Sequence, residues 1–310
     1  MILTLTPNPA LDLTFHLERL EVGAAQRVPP AQMRAGGKGI NVARVLHAQG
    51  VATRVIAPVG GVTGATVTAD LEAAGLAHAL LPVAATTRTT VAIATPEETT
   101  NLNSSGLPLT AAEWDALLDL VAARLAQAPV AQQVLVCSGS LPMDTPDDVI
   151  ARVVEIAHRN GARCVVDTSG PHLLTAADAG ADVLKPNHHE LLAVIDQPDG
   201  DILAAARRLA QRSGGVVYAS LGPDGLLRVP DGGPAHRAWL GRTLTGNTTG
   251  AGDAAVAAIA AGMASDADPI DILRGAAAWS AAAVLHPLAG SLTDPAPLLA
   301  EITVTALEET

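Results

Sequence analysis

RCVVDTSGPHLLTAADAGADVLKPN, residues 163–187, contains a complete strand, helix and second strand, and its reading decides the fold. Residues 163–167 are an apolar, β-branched run, Pro171 opens a helical stretch that Gly180 closes, and a second apolar run at 182–185 stops at Pro186. Two strands joined through a helix must lie parallel, with a right-handed crossover. Outward from this unit the alternation repeats. Upstream lie a helix at 111–128, a strand at 133–137 and a helix at 145–160. Downstream, a helix at 188–196 resumes after a Gly break at 202–212, a strand follows at 215–220, and two Ala-rich helices at 251–263 and 269–285 close the pattern. Towards the start, strand 2–6 ends at the Pro7-Asn8-Pro9 breaker, and loose alternation over 11–34 marks a small strand-rich excursion. A helix at 40–49, a strand at 54–58, a helix at 66–74 and a strand at 89–95 with a hairpin partner at 99–103 complete the reading. The expectation is one large α/β domain over 1–310, with a mostly parallel sheet flanked by helices.

Composition narrows the partners. A net charge of −12, with no run of five or six like charges, provides no footprint for nucleic acid. The start, MILTLTPN, lacks the basic segment and long apolar run of a secretory signal, and apolar stretches elsewhere are broken by Gly, Pro or charge, so a cytoplasmic protein without membrane contact is expected. Cys137 and Cys164 each lie at one end of an apolar strand-like run and read as buried core thiols. Of the 19 basic residues only Lys38 and Lys185 are lysines, and both lie inside motifs. Phosphate sites often use such a compact ammonium.

Three motifs carry chemistry. In TLTGNTTGAGDAAVAAIAAG (243–262), Gly250, Ala251 and Gly252 let backbone N–H groups approach an anion at a helix start, where the helix dipole helps. Asp253 in that first turn is either a helix cap or a base for a hydroxyl attacking a phosphoryl group. In RAGGKGINVARVL (34–46), the spacing is neither a Walker A loop nor GxGxxG, and its glycines would admit a polyol beside Lys38 and Asn41, with Asp12 nearby. In VLKPNHHELLAV (183–194), Lys185, Asn187 and Glu190 stand past a strand end, where α/β sheets bind ligands, although Glu190 is equally a helix-start carboxylate. His188 and His189 lack metal-ligand spacing and read as exposed. Loop 220–225 either wraps a nucleotide or makes a hairpin turn, Ser138-Gly139-Ser140 follows another strand, and Arg88, beside a strand, could clamp a phosphate.

GGKGINVA, KPNHHEL and NTTGAGDA, in that order and spread over nearly the whole chain, resemble the PfkB, or ribokinase-like, family of carbohydrate kinases. TLTPNPALDLT, NLNSSG, VCSGSLP and VDTSG are most similar to its 1-phosphofructokinase branch, with tagatose-6-phosphate kinases as neighbours. The resemblance implies a three-layer fold with a small β lid made of 11–34 and 88–103, and a homodimer paired through that lid. It implies ATP and Mg²⁺, a phosphosugar acceptor, and Asp253 as base over an anion hole at Gly250 to Gly252. Asp12, Gly36, Gly37, Lys38, Asn41, Arg88, Asn103 and Ser138 would hold the sugar phosphate. Lys185, Asn187, Glu190, Ser220, Gly222, Gly225 and Thr248 would face the nucleotide, with Glu190 on the metal through water. The acceptor expected is fructose 1-phosphate at O6; tagatose 6-phosphate and fructose 6-phosphate are alternatives within the family, and a sugar-phosphate sensor without turnover is the alternative outside it. Met143-Asp144 after GSLP departs from the family pattern and would put an extra carboxylate near the sugar.

Overall fold

Thr4 and Leu5 at the end of the first strand lie between two parallel neighbours and are fully buried. Such strands are apolar on both faces because helices cover both sides of the sheet. The computed structural model describes residues 1–127, 133–196 and 200–307. The chain runs β1 (Ile2–Leu5), β2 (Ala10–His16), β3 (Gln32–Gly36), α1 (Lys38–Ala48), β4 (Thr53–Val59), α2 (Gly61–Ala73), β5 (His78–Pro82), β6 (Arg88–Ala94) and β7 (Thr99–Asn103). It continues through α3 (Ala111–Ala126), β8 (Val134–Ser138), α4 (Val149–Arg159), β9 (Arg163–Asp167), α5 (Pro171–Asp178), β10 (Val183–Leu184), α6 (His188–Val194) and α7 (Ile202–Ser213). β11 (Val216–Ser220), β12 (Leu226–Pro230), β13 (Ala235–Leu240), α8 (Ala251–Ala264), α9 (Pro269–Val284), α10 (Ala296–Glu301) and β14 (Ile302–Leu307) complete it.

Ten strands form one sheet in the order β14-β13-β12-β11-β10-β9-β8-β1-β4-β5. From β5 to β11 neighbours are parallel, and β12, β13 and β14 extend the sheet antiparallel. One face is covered by α3 to α7; in α4, Val149, Ile150, Val153, Val154 and Ala157 recur at helical spacing and are fully buried. On the other face α8 is buried nearly all round between the sheet, α1 and α9. Its alanines and Gly262 permit that closeness, because a Cβ on Gly262 would stand 2.6 Å from Ile272 Cγ1. A second sheet, ordered β3-β2-β6-β7, stands apart, with β2 and β6 parallel.

Several boundaries differ from the sequence reading. α2 starts at Gly61, not 66, and α4 at Val149, not 145, because Thr145 and Pro146 form a turn in which Thr145 Oγ1 donates to Pro142 O at 2.7 Å and Val149 N to Pro146 O at 3.1 Å. The expected helix end at 128 lies outside the described residues. Strand 182–185 pairs only over Val183–Leu184. β5, β12, β13, β14 and the short α10 were not anticipated. Both cysteines are buried, and burial pushes the Cys137 thiol up to about 12, which leaves it unreactive.

Candidate active site

The carboxyl ends of β8, β9, β10 and β11 open on a cleft of about 1070 Å³ roofed by the small sheet. Topology dictates this location, since parallel strands deliver their following loops to one edge. Asp12, Gly37, Lys38, Asn41, Arg88 and Asn103 line it from the first part of the chain. Lys185, Asn187, Glu190, Ser220, Gly222, Gly225, Thr248, Gly250, Ala251, Gly252 and Asp253 line it from the second. Gly36 and Ser138 are not in the wall. Gly36 leaves room behind Asp12, whose Oδ2 would lie 1.8 Å from a Cβ there, and Ser138 is fully buried and turned to Asp167. Asp144 is exposed, at φ 54°, and does not line the cleft, so the carboxylate expected near the sugar is elsewhere.

Asp253 is 5% exposed at the start of α8. It does not cap the helix: the N-cap is Gly250, at φ 87°, with no side-chain cap bond. Its Oδ2 instead accepts from Asn41 Nδ2 at 2.9 Å, so the amide read as a sugar contact is directed at the carboxylate. Burial pushes the Asp253 carboxyl up to about 6; Lys38 opposes that rise and the charge of Asp167 adds to it. Gly250 has to be glycine because it combines positive φ with a Cβ position 3.0 Å from Ala289 Cα.

Asp167, the last residue of β9, lies within VDTSG but has no site role in the sequence reading. It is 1% exposed and collects both lysines: Lys38 Nζ stands 3.3 Å and Lys185 Nζ 4.0 Å from its Oδ1, while Ser138 Oγ donates to Oδ2 at 2.9 Å. Burial alone would raise the Asp167 carboxyl, but the two ammonium groups and the Ser138 bond hold it below the usual range. Asp167 in turn pulls the Lys38 ammonium above its usual value. Lys185 Nζ also donates to Ser220 Oγ at 3.3 Å and lies 3.4 Å from where a Cβ on Gly252 would stand, beside the glycine turn. A carboxylate closing a strand between strands ending at Ser138 and Lys185 was the available signal.

The roof contributes a second charged group. Arg88 Nη2 donates to Asn8 O at 3.1 Å and Nη1 to Ser104 O at 3.1 Å, which fix its guanidinium at the cleft edge. Asp12 Oδ1 accepts from Thr90 Oγ1 at 2.6 Å, and burial raises its carboxyl above the ordinary value. Leu226, Leu240, Leu244, Ala277, Ala281 and Val284 give the same cleft an apolar part of its wall. Loop 220–225 turns β11 into antiparallel β12, as the hairpin reading had it, and also lines the cleft. Asn187 and Glu190 form a reciprocal capping box on α6, with Glu190 Oε2 accepting from Asn187 N at 2.9 Å, and both side chains still reach the wall. His189 is exposed and His188 half-buried.

The chain that brings a carboxylate at a glycine-rich helix start, two lysines and an arginine around one cleft matches the model of the pfkB family of carbohydrate kinases over residues 6–296. The chain belongs to the PfkB family of carbohydrate kinases. Relatives of this PfkB kinase include a 1-phosphofructokinase from Xanthomonas campestris, 37% identical over 87% of this chain and 86% of that one. An ATP-dependent 6-phosphofructokinase isozyme 2 from Mycobacterium tuberculosis is 34% identical over 92% of this chain and 84% of that one. Phosphofructokinase-2 from Escherichia coli, solved in complex with potassium, superimposes with a TM-score of 0.88 at 28% identity, covering 96% of this chain and 98% of that one. The mostly parallel sheet, its flanking helices and the separate small sheet of this PfkB chain accord with the ribokinase-like expectation.

Proposed function

We propose that the protein transfers the γ-phosphoryl group of ATP to O6 of fructose 1-phosphate, giving fructose 1,6-bisphosphate and ADP. The observation that carries the reading is Asp253: buried, aimed by Asn41, raised to about 6, and set in the first turn of α8 directly after the glycine-rich turn at Gly250. Lys38 and Arg88 anchor the 1-phosphate and Asp12 accepts from the sugar hydroxyls, which brings O6 to Asp253. The new bond joins O6 to the γ-phosphorus, the bond from that phosphorus to the bridging oxygen of ADP breaks, and the O6 proton passes to Asp253. The N–H groups of Gly250, Ala251 and Gly252 stabilise the charge spread over the moving group. Lys185 neutralises the donor phosphates, while Ser220, Gly222, Gly225 and Thr248 hold the nucleotide.

Magnesium fits the donor set. Among the described residues no group of three or more His, Cys, Asp or Glu could cage a metal, and Mg²⁺ bound with ATP needs only one or two carboxylates besides phosphates and water. Glu190 would hold it through water, using the oxygen left free by its capping bond. When bound, the ion supplies neutralisation of charge on the β- and γ-phosphates.

The small sheet, with 11–34 and 88–103, acts as a lid that excludes water over the sugar. Exposed Met33 and Leu102 on it support pairing with a second copy as a homodimer. Among the described residues no helix is long and apolar enough to cross a membrane, and both substrates are intracellular metabolites, so the cytoplasm is the proposed location. A fructose 6-phosphate acceptor is the second reading, favoured by the Mycobacterium tuberculosis relative. A coupled assay of ADP release with ATP and Mg²⁺ decides among fructose 1-phosphate, fructose 6-phosphate and tagatose 6-phosphate. Preference for a 6-phosphate moves the anchored phosphate to the other end of the sugar, and no turnover with any sugar returns the sensor alternative.

Arg88→Ala is expected to raise KM for the sugar phosphate by about 10-fold to 10²-fold, the worth of one or two hydrogen bonds to a charged group, with KM for ATP unchanged. Steady-state kinetics with each substrate varied in turn checks this. An unaltered sugar-phosphate KM would place the anchoring phosphate away from Arg88.

A further inference from the structure

Arg34 belongs to none of the motif roles above, and its side chain does not line the cleft. It lies on β3 at the edge of the small sheet, opposite Asp12 on β2. Its guanidinium reaches beyond that sheet: Nη1 donates to Ala289 O at 2.9 Å and to Ser291 Oγ at 3.1 Å. Those acceptors sit in the turn after α9, residues 285–291, which packs directly behind the phosphoryl-transfer machinery.

Three contacts show how closely. A Cβ on Gly250 would stand 3.0 Å from Ala289 Cα and 3.1 Å from Gly290 N, so this turn forms the floor under the anion-binding glycines. A Cβ on Gly290 would stand 2.8 Å from Asn41 Oδ1, so the same turn backs the amide that aims Asp253. Asn247 Nδ2 donates to Pro287 O at 2.8 Å, which ties the segment before the glycines to it. The sheet that presents Asp12 and Arg88 is therefore bonded, through one guanidinium, to the floor beneath Asp253.

We infer that Arg34 is a positioning residue that sets the small sheet in register with the anion-binding turn. The inference rests on the kinase reading for its consequence, because O6 is delivered by the sheet and the base and N–H groups by the turn. Arg34 does not line the cleft and reaches the sugar site only through its charge on Asp12, its register partner, so its loss disturbs reaction geometry more than nucleotide binding. Displacement of reacting groups by about 1 Å can cost about 10²-fold in rate.

The test uses the full-length protein as Arg34→Met, Arg34→Lys and Ser291→Ala. Hydrogen exchange without substrates is expected to quicken at amides 247–252 and 288–291 in Arg34→Met, with α7 unchanged as the internal reference. Kinetics are expected to show kcat lowered by about 10-fold to 10²-fold with KM for ATP little changed and KM for the sugar phosphate changed less than kcat, and Arg34→Lys to recover part of the loss. Arg34→Met combined with Ser291→Ala should be no worse than Arg34→Met alone, since both remove the same link. Unchanged exchange in the two turns overturns the coupling, whether or not the protein proves to be a kinase. Faster exchange with kcat intact, or additive losses in the double variant, overturns the positioning role. Should Arg34→Met fail to fold, Arg34→Lys and Ser291→Ala carry the same measurements, and wild-type values in both would end the proposal.

Discussion

Asp253→Asn is expected to lower kcat by about 10²-fold to 10⁴-fold, the share usually carried by a positioned general base. Asn has nearly the shape of Asp and its carbonyl still accepts from Asn41, so KM for both substrates should stay close to the parent values. The pH profile makes the assignment specific. The base works ionised, and in the substrate-free cleft its carboxyl is pushed up to about 6 by burial. kcat/KM, which reports the free enzyme, should therefore be flat above about pH 6 and fall tenfold per unit below it. That acid limb should vanish in Asp253→Asn. Stability moves the opposite way. A carboxyl raised above its ordinary 3.8 disfavours folding when ionised, a cost absent below about pH 4 and complete above about pH 6. Asp253→Asn should thus be the more stable protein at pH 7.5, by up to on the order of 3 kcal/mol, with the difference closing near pH 4. Urea midpoints at the two pH values check this. A variant that keeps its turnover, or its acid limb, removes Asp253 from the role of base.

What was legible in the sequence follows from how locally each feature is encoded. Buried parallel strands such as Val134–Ser138 are continuous apolar runs, and Gly or Pro marks their ends, so the centre of the sheet could be read directly. The antiparallel extension was hidden by Arg228, His236 and Arg237, which break the apolar pattern of β12 and β13. Asp231-Gly232-Gly233 between them was a usable hairpin signal. β5 contains Ala and Leu, residues that do not favour strands, and only its pairing with β4 makes it one. The glycine turns at 36–39 and 250–252 stand out because their composition is itself the function. Asp167 is different: Lys38 lies 129 positions away along the chain, so its strand-end position and the VDTSG segment could not by themselves reveal the lysines it pairs with.

Asp167→Asn should show what that arrangement does. Asn keeps an acceptor for Ser138 Oγ and removes only the charge that Lys38 and Lys185 share. Lys185 is 4% exposed and cannot recover its lost partner from water, and removing one member of a buried pair typically costs about 3–5 kcal/mol. Lys38 has 41% of its side chain exposed, so its own pairing is screened and its ammonium can turn to Asp253 instead. Three results are expected together. The urea midpoint at pH 7.5 falls. ATP raises the melting temperature of the variant more than that of the parent, because phosphate oxygens supply the missing negative charge between the ammonium groups. The acid limb of kcat/KM moves below about pH 6, since Asp167 raises the Asp253 carboxyl and Lys38 lowers it. The stabilisation from Asp167 has the ordinary sign for a depressed carboxyl: present above about pH 4 and lost as pH falls through the lower folded value, so parent and variant should converge in acid. An unchanged midpoint and an acid limb still at pH 6 would mean that the two lysines are held by the nucleotide and sugar alone, with Asp167 a bystander at the strand end.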